Sequence, residues 1–386
     1  MSATTRQVAA AVRQYSKEFY KATASGVNPI LGESNYIASP FGAWLLLVFI
    51  AASTPIEDEA VRSELEDIIG IPLDKASTFA QHAINEITAE ESEAALCAWF
   101  QPEYAKSSDR ISEWLDKNTL GLSGGYIPEK AQLDAWTEDI TRGLIKKFPA
   151  DIDGSELAIL ASIIYSKFKW REGFEVVDAP DEFVEWDVEK VLTTTDDIVR
   201  FVSHNGSLFA ILSKAAAGHK SVTTVMSLTH NYDDAAAYLN DAEEVLSGEG
   251  HGVALDEIED IIDGASEVKI EYVEGQTNDT YEVWLPAWSA EATLNLNINE
   301  LGIGTAMKEL GGNHDVPVIQ SAVAKYTAEG FEGAAVTVAI MRGTAFQPVT
   351  AGAYSVSLMM NKPAVAFCVV AGVPLFSAVV TTANEA

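Results

Sequence analysis

Basic residues are scarce in this sequence. Lys and Arg together number 25 against 57 Asp and Glu in 386 residues, which gives a net charge of −32 at pH 7. A surface this negative repels nucleic-acid phosphates and anionic lipid headgroups, so we expect neither nucleic acid nor a membrane as partner. Hydrophobic residues make up 48% of the chain, which is enough for a sizeable core. The composition favours a soluble monomer.

Cysteine is almost absent. The two cysteines, Cys97 and Cys368, lie far apart in the sequence, and each lies in an apolar stretch. This placement favours two buried free thiols over one disulfide. Without a disulfide framework, the composition offers no argument for secretion.

Long hydrophobic runs are also missing. A signal peptide has a continuous apolar core of about 7–15 residues, and the first 22 residues instead place apolar side chains at helical spacing. The apolar run at residues 41–52 is shorter than the roughly 20 residues that a membrane span needs, so it predicts a buried helix. We therefore expect a cytoplasmic protein.

Catalytic and metal-binding motifs are lacking. The sequence contains no G-x-S-x-G, no P-loop and no H-E-x-x-H, and the segment Gly302-Ile303-Gly304 lacks the third glycine of a dinucleotide fingerprint. The six histidines are dispersed without metal-ligand spacing. The sequence therefore predicts neither an enzyme, nor a metal, nor a cofactor.

The order of predicted elements indicates an α+β fold in one domain, residues 1–386. Helical patterns fill the first half, including a helix that starts at Ser39-Pro40 and another at residues 132–148. Strand patterns follow, from the apolar run at residues 157–165 to a C-terminal strand pair within 364–380. Residues 268–273 and 280–285 flank a turn-like segment and predict a hairpin.

One segment near the C-terminus has an unusual pattern of small residues. Between 330 and 345, alternate positions carry Gly333, Ala335, Thr337 and Ala339. Alternate residues of a strand share a face, so this face would present small side chains to a tight interior. Residues 343–355 are rich in Thr, Ala and Gly, which is typical of a loop.

That segment, placed before a C-terminal apolar strand pair, resembles the hinge of the serpin family. The resemblance extends over most of the chain through short motifs in the right order and at compatible spacing. They are NYIASP at 35–40, W…T-x-G-x-I at Trp136, Thr141, Gly143 and Ile145, LASIIYSK at 160–167 with Trp170 and Phe174, LPAW at 285–288, LGI at 301–303, NKP at 361–363 and LF at 375–376.

The resemblance implies a serpin fold, with a large central and mainly antiparallel sheet, two further sheets, about eight or nine helices, and an exposed, mobile reactive-centre loop at roughly 329–355. It also implies suicide inhibition. A serine or cysteine protease cleaves the loop, stays acylated to it, and is carried along when the loop inserts into the central sheet. The main alternative is a non-inhibitory serpin-fold binding or scaffold protein whose loop is only a protease substrate.

Carried onto this chain, the resemblance assigns a hinge and a cleavage region. The hinge comprises Glu329, Gly330, Phe331, Glu332, Gly333, Ala334, Ala335, Val336 and Thr337. The cleavage region comprises Met341, Arg342, Gly343, Thr344 and Ala345. Counting along the hinge places the cut near Thr344-Ala345, whereas Arg342-Gly343 would suit a trypsin-like protease.

The chain departs from the family pattern at several positions. Phe331 stands at the first inward hinge position, where serpins usually have Thr or Ser, and a phenyl ring there would slow insertion. Gly333 replaces the usual Ala. In the region that controls opening of the sheet, the resemblance assigns Ser39, Ser162, Trp170 and Ser321. Ser162 and Ser321 replace the usual Asn and His, which weakens the expected hydrogen-bonded lock between the central strands.

Overall fold

The computed structural model describes residues 2–32, 34–100, 121–125, 127–153, 158–195, 199–262, 267–274, 278–296, 299–309, 318–335 and 353–383. These ranges contain eight α-helices and three β-sheets. The helices are α1 (Ala3–Ala24), α2 (Pro40–Ser53), α3 (Glu59–Ile69), α4 (Leu73–Ala89), α5 (Lys130–Ile140), α6 (Ala235–Ser247), α7 (Leu255–Ile262) and α8 (Ile303–Glu309). The predicted α+β class is confirmed.

Helix α2 lies at the centre of the core. All but one of its residues are buried, because its sequence PFGAWLLLVFIAAS is apolar on every side. Helices α1, α4 and α8 pack around it, and the strand Ala158–Lys169 covers another side. None of the helices in the described ranges is long and apolar enough to cross a membrane.

The central sheet has six strands in the order β13-β14-β15-β4-β2-β3. Its strands are β2 (Glu93–Phe100), β3 (Gly121–Gly125), β4 (Ala158–Lys169), β13 (Trp288–Leu296), β14 (Val318–Tyr326) and β15 (Gly330–Ala335). All neighbouring pairs are antiparallel except β2 and β3. The apolar run predicted as a buried strand is β4, as expected.

The second sheet has seven strands in the order β1-β18-β17-β9-β8-β7-β10. They are β1 (Tyr36–Ala38), β7 (Val199–His204), β8 (Ser207–Ala215), β9 (Lys220–Ser227), β10 (His251–Gly252), β17 (Ala364–Val370) and β18 (Val373–Val380). Strands β17 and β18 form the predicted C-terminal strand pair, and every residue of both is buried.

The third sheet corrects one prediction. Its order is β11-β16-β12-β6-β5, from the strands β5 (Glu175–Asp178), β6 (Lys190–Thr194), β11 (Val268–Val273), β12 (Thr280–Leu285) and β16 (Ala353–Met359). The hairpin predicted from β11 and β12 is wrong, because β16 lies between them and pairs with both. The predicted helix at 132–148 is also too long. It ends at Ile140, and Arg142 and Gly143 then take left-handed φ angles of 53° and 80°.

The predicted loop at 329–355 is likewise bounded too widely. Gly330–Ala335 already forms β15 in the central sheet, and Ala353–Met359 forms β16 in the third sheet. Each of these strands pairs on both sides. Both ends of the predicted loop are therefore anchored in sheets.

Candidate functional site

The predicted hinge occupies a slot in the central sheet between β14 and β4. Strand β15 follows β14 after a turn at Thr327–Glu329 and runs antiparallel to both neighbours. Gly330 lies opposite Lys169 of β4, and Ala335 lies opposite Ala322 of β14 and Ile164 of β4. Six hinge residues are thus already a strand of the sheet, although the chain runs on from Ala335 to Ala353 without a cut.

The turn at the top of this slot is fixed by Trp170. Its indole Nε1 donates to the carbonyl oxygen of Thr327 at 2.9 Å, and its backbone N donates to the carbonyl oxygen of Glu329 at 3.0 Å. The ring, 6% exposed, lies against Phe168, Phe174 and Tyr326. Trp170 therefore positions the end of β14 and the start of the hinge together.

The outer face of β15 carries a charged contact. Glu332 accepts a hydrogen bond from the hydroxyl of Tyr165 at 3.0 Å and lies 3.1 Å from the ammonium of Lys167. Burial, together with the bond to Glu332, raises the pKa of Tyr165 to about 12. On the same face, Ala334 is fully buried against Tyr165, Val323 and Ile145, the last of which follows α5. The docked hinge thus contacts both β4 and the segment after α5.

The inner face of β15 carries Phe331, Gly333 and Ala335, as the alternation predicts. Phe331 is only 2% exposed. Its ring packs among the side chains of Phe168, Trp288 and Phe376, and the expectation that it slows insertion stays a prediction.

Beneath the sheet, polar contacts join α2 to the central strands. Gln320 of β14 is 2% exposed, and its side-chain amide binds both backbone groups of Ser39. The N–H of Ser39 donates to Oε1 at 2.9 Å, and Nε2 donates to the carbonyl oxygen of Ser39 at 3.0 Å. Ser162 of β4 donates to the carbonyl oxygen of Gly42 at 3.0 Å.

Two of the predicted sheet-opening residues, Ser39 and Ser321, differ in where their side chains lie. Ser39 occupies the N-cap position of α2, but its hydroxyl donates to the carbonyl oxygen of Leu375 at 2.7 Å and does not cap the helix. Ser321 is not the residue of β14 that faces Ser39. Alternate residues of a strand point to opposite faces, so Ser321 shares the outer face with Val323, and Gln320 takes the inner position. The sequence did contain a signal for this contact, because Gln320 is a polar residue at the same alternation as the small apolar residues Ala322 and Ala324.

Replacing Gln320 with Ala should destabilise the protein by about 2–3 kcal/mol, because the buried N–H and C=O of Ser39 would lose their partners. Ser321→Ala is the matched control on the adjacent residue and opposite face, with an expected cost of about 0.5 kcal/mol. Chemical denaturation of both variants measures the difference. Equal effects of the two substitutions would show that the amide contact does not hold α2 to β14.

The predicted cleavage residues Met341, Arg342, Gly343, Thr344 and Ala345, and the hinge residues Val336 and Thr337, lie outside the described residues. Their assignment stays a prediction.

One cluster of potential metal ligands is brought together that the sequence did not predict. His204, Asp241 and Glu244 have ligand atoms within 4.8 Å of one another. The four carboxylate oxygens are already hydrogen-bonded, since Glu244 binds Lys17 at 2.5 Å and His204 at 3.0 Å, and Asp241 binds Asn205 at 3.0 Å and Tyr232 at 2.6 Å. These hydrogen bonds connect α1, α6 and the end of β7 to one another.

Comparison with known proteins gives the fold a name. No protein-family model matches the chain. A curated protein called "Serine protease inhibitor", from Cyanea capillata, is 25% identical over 224 residues, which cover 54% of this chain and 55% of that protein. The chain thus matches about half of that relative's length.

Solved structures match along the whole chain. A cleaved serpin, Serpin 42Da, has a TM-score of 0.63 at 15% identity, with 100% of this chain and 99% of that chain covered. Human thyroxine-binding globulin in complex with thyroxine has a TM-score of 0.66 at 12% identity, with 99% of this chain and 100% of that chain covered. The chain therefore has the serpin fold, which confirms the resemblance found in the sequence.

Proposed function

We propose that this protein is a protease inhibitor of the serpin type. A serine protease cleaves the chain between β15 and β16, stays acylated to it, and is trapped when the cut segment inserts between β14 and β4. The observation that carries the proposal is the position of Gly330–Ala335, which already lies in that slot. After a cut, the residues that follow Ala335 could extend β15 between β14 and β4.

The strands that flank the slot support this proposal. Strand β4 extends six residues beyond the last paired position, Ile164, to Ala158, and β14 extends four residues beyond Ala322 to Val318. Among the described residues, no pairing between β4 and β14 closes this part of the slot. Their backbone groups can therefore accept an incoming strand.

A second function is favoured by the same observation. A hinge that is docked before any cut leaves fewer residues between β15 and β16 for a protease to bind, which disfavours inhibition. The alternative is a serpin-fold binding or scaffold protein whose loop is only cleaved. Thyroxine-binding globulin, whose fold is similar, holds thyroxine in its solved structure.

Incubation with trypsin, chymotrypsin, elastase and subtilisin, followed by denaturing gels, separates the two functions. We expect a covalent band at the summed mass of protein and protease, and sequencing of the released peptide should place the cut within residues 341–345. Protease whose active-site serine is blocked beforehand is the control and should give no band. Clean cleavage with the protease still active would reject inhibition and favour the second function.

The choice of protease can be tested at one residue. If the cut falls at Arg342-Gly343, Arg342→Gln should abolish the adduct with trypsin and leave the adduct with elastase. If the cut falls at Thr344-Ala345, the adduct with elastase should form equally with both proteins, and trypsin, which cleaves after Lys or Arg, should form no adduct with either.

A further inference from the structure

The ring of Phe331 lies in a pocket built by three different strands of two sheets. Phe168 of β4 stacks on it, with ring centroids 5.5 Å apart and planes 28° apart. Phe376 of β18 lies at 5.9 Å and Trp288 of β13 at 6.5 Å. The slot thus begins with an aromatic pocket, whereas Gly333 and Ala335, further along its inner face, are small.

Gly333 lies two residues along the same face, and its missing side chain is part of this pocket. A Cβ placed there would lie 2.8 Å and 2.9 Å from ring atoms of Phe331 and 3.1 Å from Phe376. Contacts under 3.0 Å do not occur for real Cβ atoms, so something would have to shift. Phe168, Trp288 and Phe376 pack against the ring and restrict the directions in which it can move.

Backbone conformation does not explain this glycine. The nine glycines with positive φ among the described residues do not include Gly333, so an L side chain suits its backbone. What excludes a side chain is the phenyl ring two residues earlier. The two departures from the hinge pattern therefore depend on each other.

We propose that Phe331 and Gly333 form one recognition element, and that the Phe168–Trp288–Phe376 pocket selects the strand that may enter the slot. The pocket accepts a strand with a phenyl ring at the first inward position and no side chain at the next. Burial of the ring then holds the hinge in the sheet before any cut. This rests on the proposed function, since the selected strand is the hinge of the same chain.

The selectivity follows from volume. A Thr at position 331 would leave most of the space between the three aromatic rings empty, and an unfilled core space lowers stability. An Ala at position 333 would overfill the same space while Phe331 is present. Once the ring is removed, both contacts under 3.0 Å disappear, and only the 3.1 Å contact with Phe376 remains, which a small shift of that ring relieves. The cost of each substitution must therefore depend on the other.

A double-mutant cycle on the uncut full-length protein tests the pair without any protease. We expect Phe331→Thr and Gly333→Ala each to lower the melting temperature by about 2–4 °C. In the Phe331→Thr background, Gly333→Ala should have no effect or raise the melting temperature. Gly252→Ala is the control, because a Cβ there meets no atom within 4 Å. Additive effects of the two substitutions would overturn the proposal.

Failure to fold also gives a decisive result. If Gly333→Ala alone does not fold and the double variant does, the rescue supports the pair. If Phe331→Thr folds and the double variant does not, Gly333 is needed for a reason other than the ring, and the proposal fails.

A protease assay on the same variants separates this proposal from the proposed function. If the wild-type protein inhibits the protease, the ratio of covalent adduct to cleaved protein should fall at least several-fold in Gly333→Ala. The ratio should recover in the double variant. A coupled cycle in which no variant forms an adduct would leave the pocket established and reject the inhibitory function alone. If the variants form adducts but the effects of the two substitutions are additive, the pocket proposal fails and the inhibitory function stands.

Discussion

Cleavage of the loop should raise the melting temperature by about 10 °C. If the register of Gly330–Ala335 continues, residues 336–339 pair with both β14 and β4, as far as Val318 and Leu160. Four residues of a central strand form about eight hydrogen bonds, each contributing roughly 1 kcal/mol. Because unfolding entropy is about 2.1 cal/mol/K per residue, roughly 8 kcal/mol corresponds to about 10 °C in a chain of 386 residues.

Thr337→Pro is the matched control for this experiment. Proline has no N–H to donate and is excluded from central strands, so the cut loop of this variant cannot extend β15 past residue 336. Calorimetry before and after limited proteolysis at Arg342 should show the increase in the wild type and little change in the variant. An unchanged melting temperature in the cut wild type would mean that the loop does not insert.

The alternation of small residues predicted the hinge as a strand, and it did so for the correct face. It did not predict that the strand is already docked before a cut. That outcome depends on Phe331 meeting Phe168, Trp288 and Phe376, which lie between 43 and 163 residues away in the chain. Which side chains meet across such separations is set by the packing of two sheets, and no local pattern records it.

The hairpin predicted from β11 and β12 failed for a related reason. Both segments have strand patterns and a turn between them, so local propensity favours direct pairing. The structure inserts β16 from the C-terminal part of the chain between them. Both strands were therefore predicted correctly, but pairing with a segment distant in the sequence replaced the direct pairing that was predicted between them. Similarly, Ser321 and Gln320 are adjacent in the sequence, and only the phase of the strand decides which one faces Ser39.

A buried carboxyl group between α6 and α1 should make the protein less stable as the pH rises. Glu243 is 3% exposed, and its Oε2 has no hydrogen-bond partner among the described residues. Burial raises its pKa from 4.5 to about 8, against the opposing charges of Arg13 and Lys17. Lys17 instead pairs directly with the neighbouring Glu244 at 2.5 Å. The carboxyl of Glu243 is therefore held in its neutral form at moderate pH.

The direction of the effect follows from proton binding. Below pH 4.5 the group is protonated in both states and costs nothing, and between pH 4.5 and 8 only the folded state keeps the proton. Stability therefore falls across this range and levels off above it, by roughly 3–5 kcal/mol in total. Glu243→Gln keeps the shape of the side chain and removes the titration. We expect it to raise the melting temperature by about 5 °C at pH 8.5 and to change it little at pH 4.5.

Glu244→Gln provides the control with the opposite sign. Its hydrogen bond with Lys17 lowers the pKa of Glu244, so its contribution is present above the unfolded pKa and is lost at lower pH. That substitution should lower the melting temperature at neutral pH, because Lys17 loses its charged partner. Thermal unfolding of both variants from pH 4.5 to 9 measures the two differences from the wild type. A difference for Glu243→Gln that does not vary with pH would show that this carboxyl is not protonated in the folded protein.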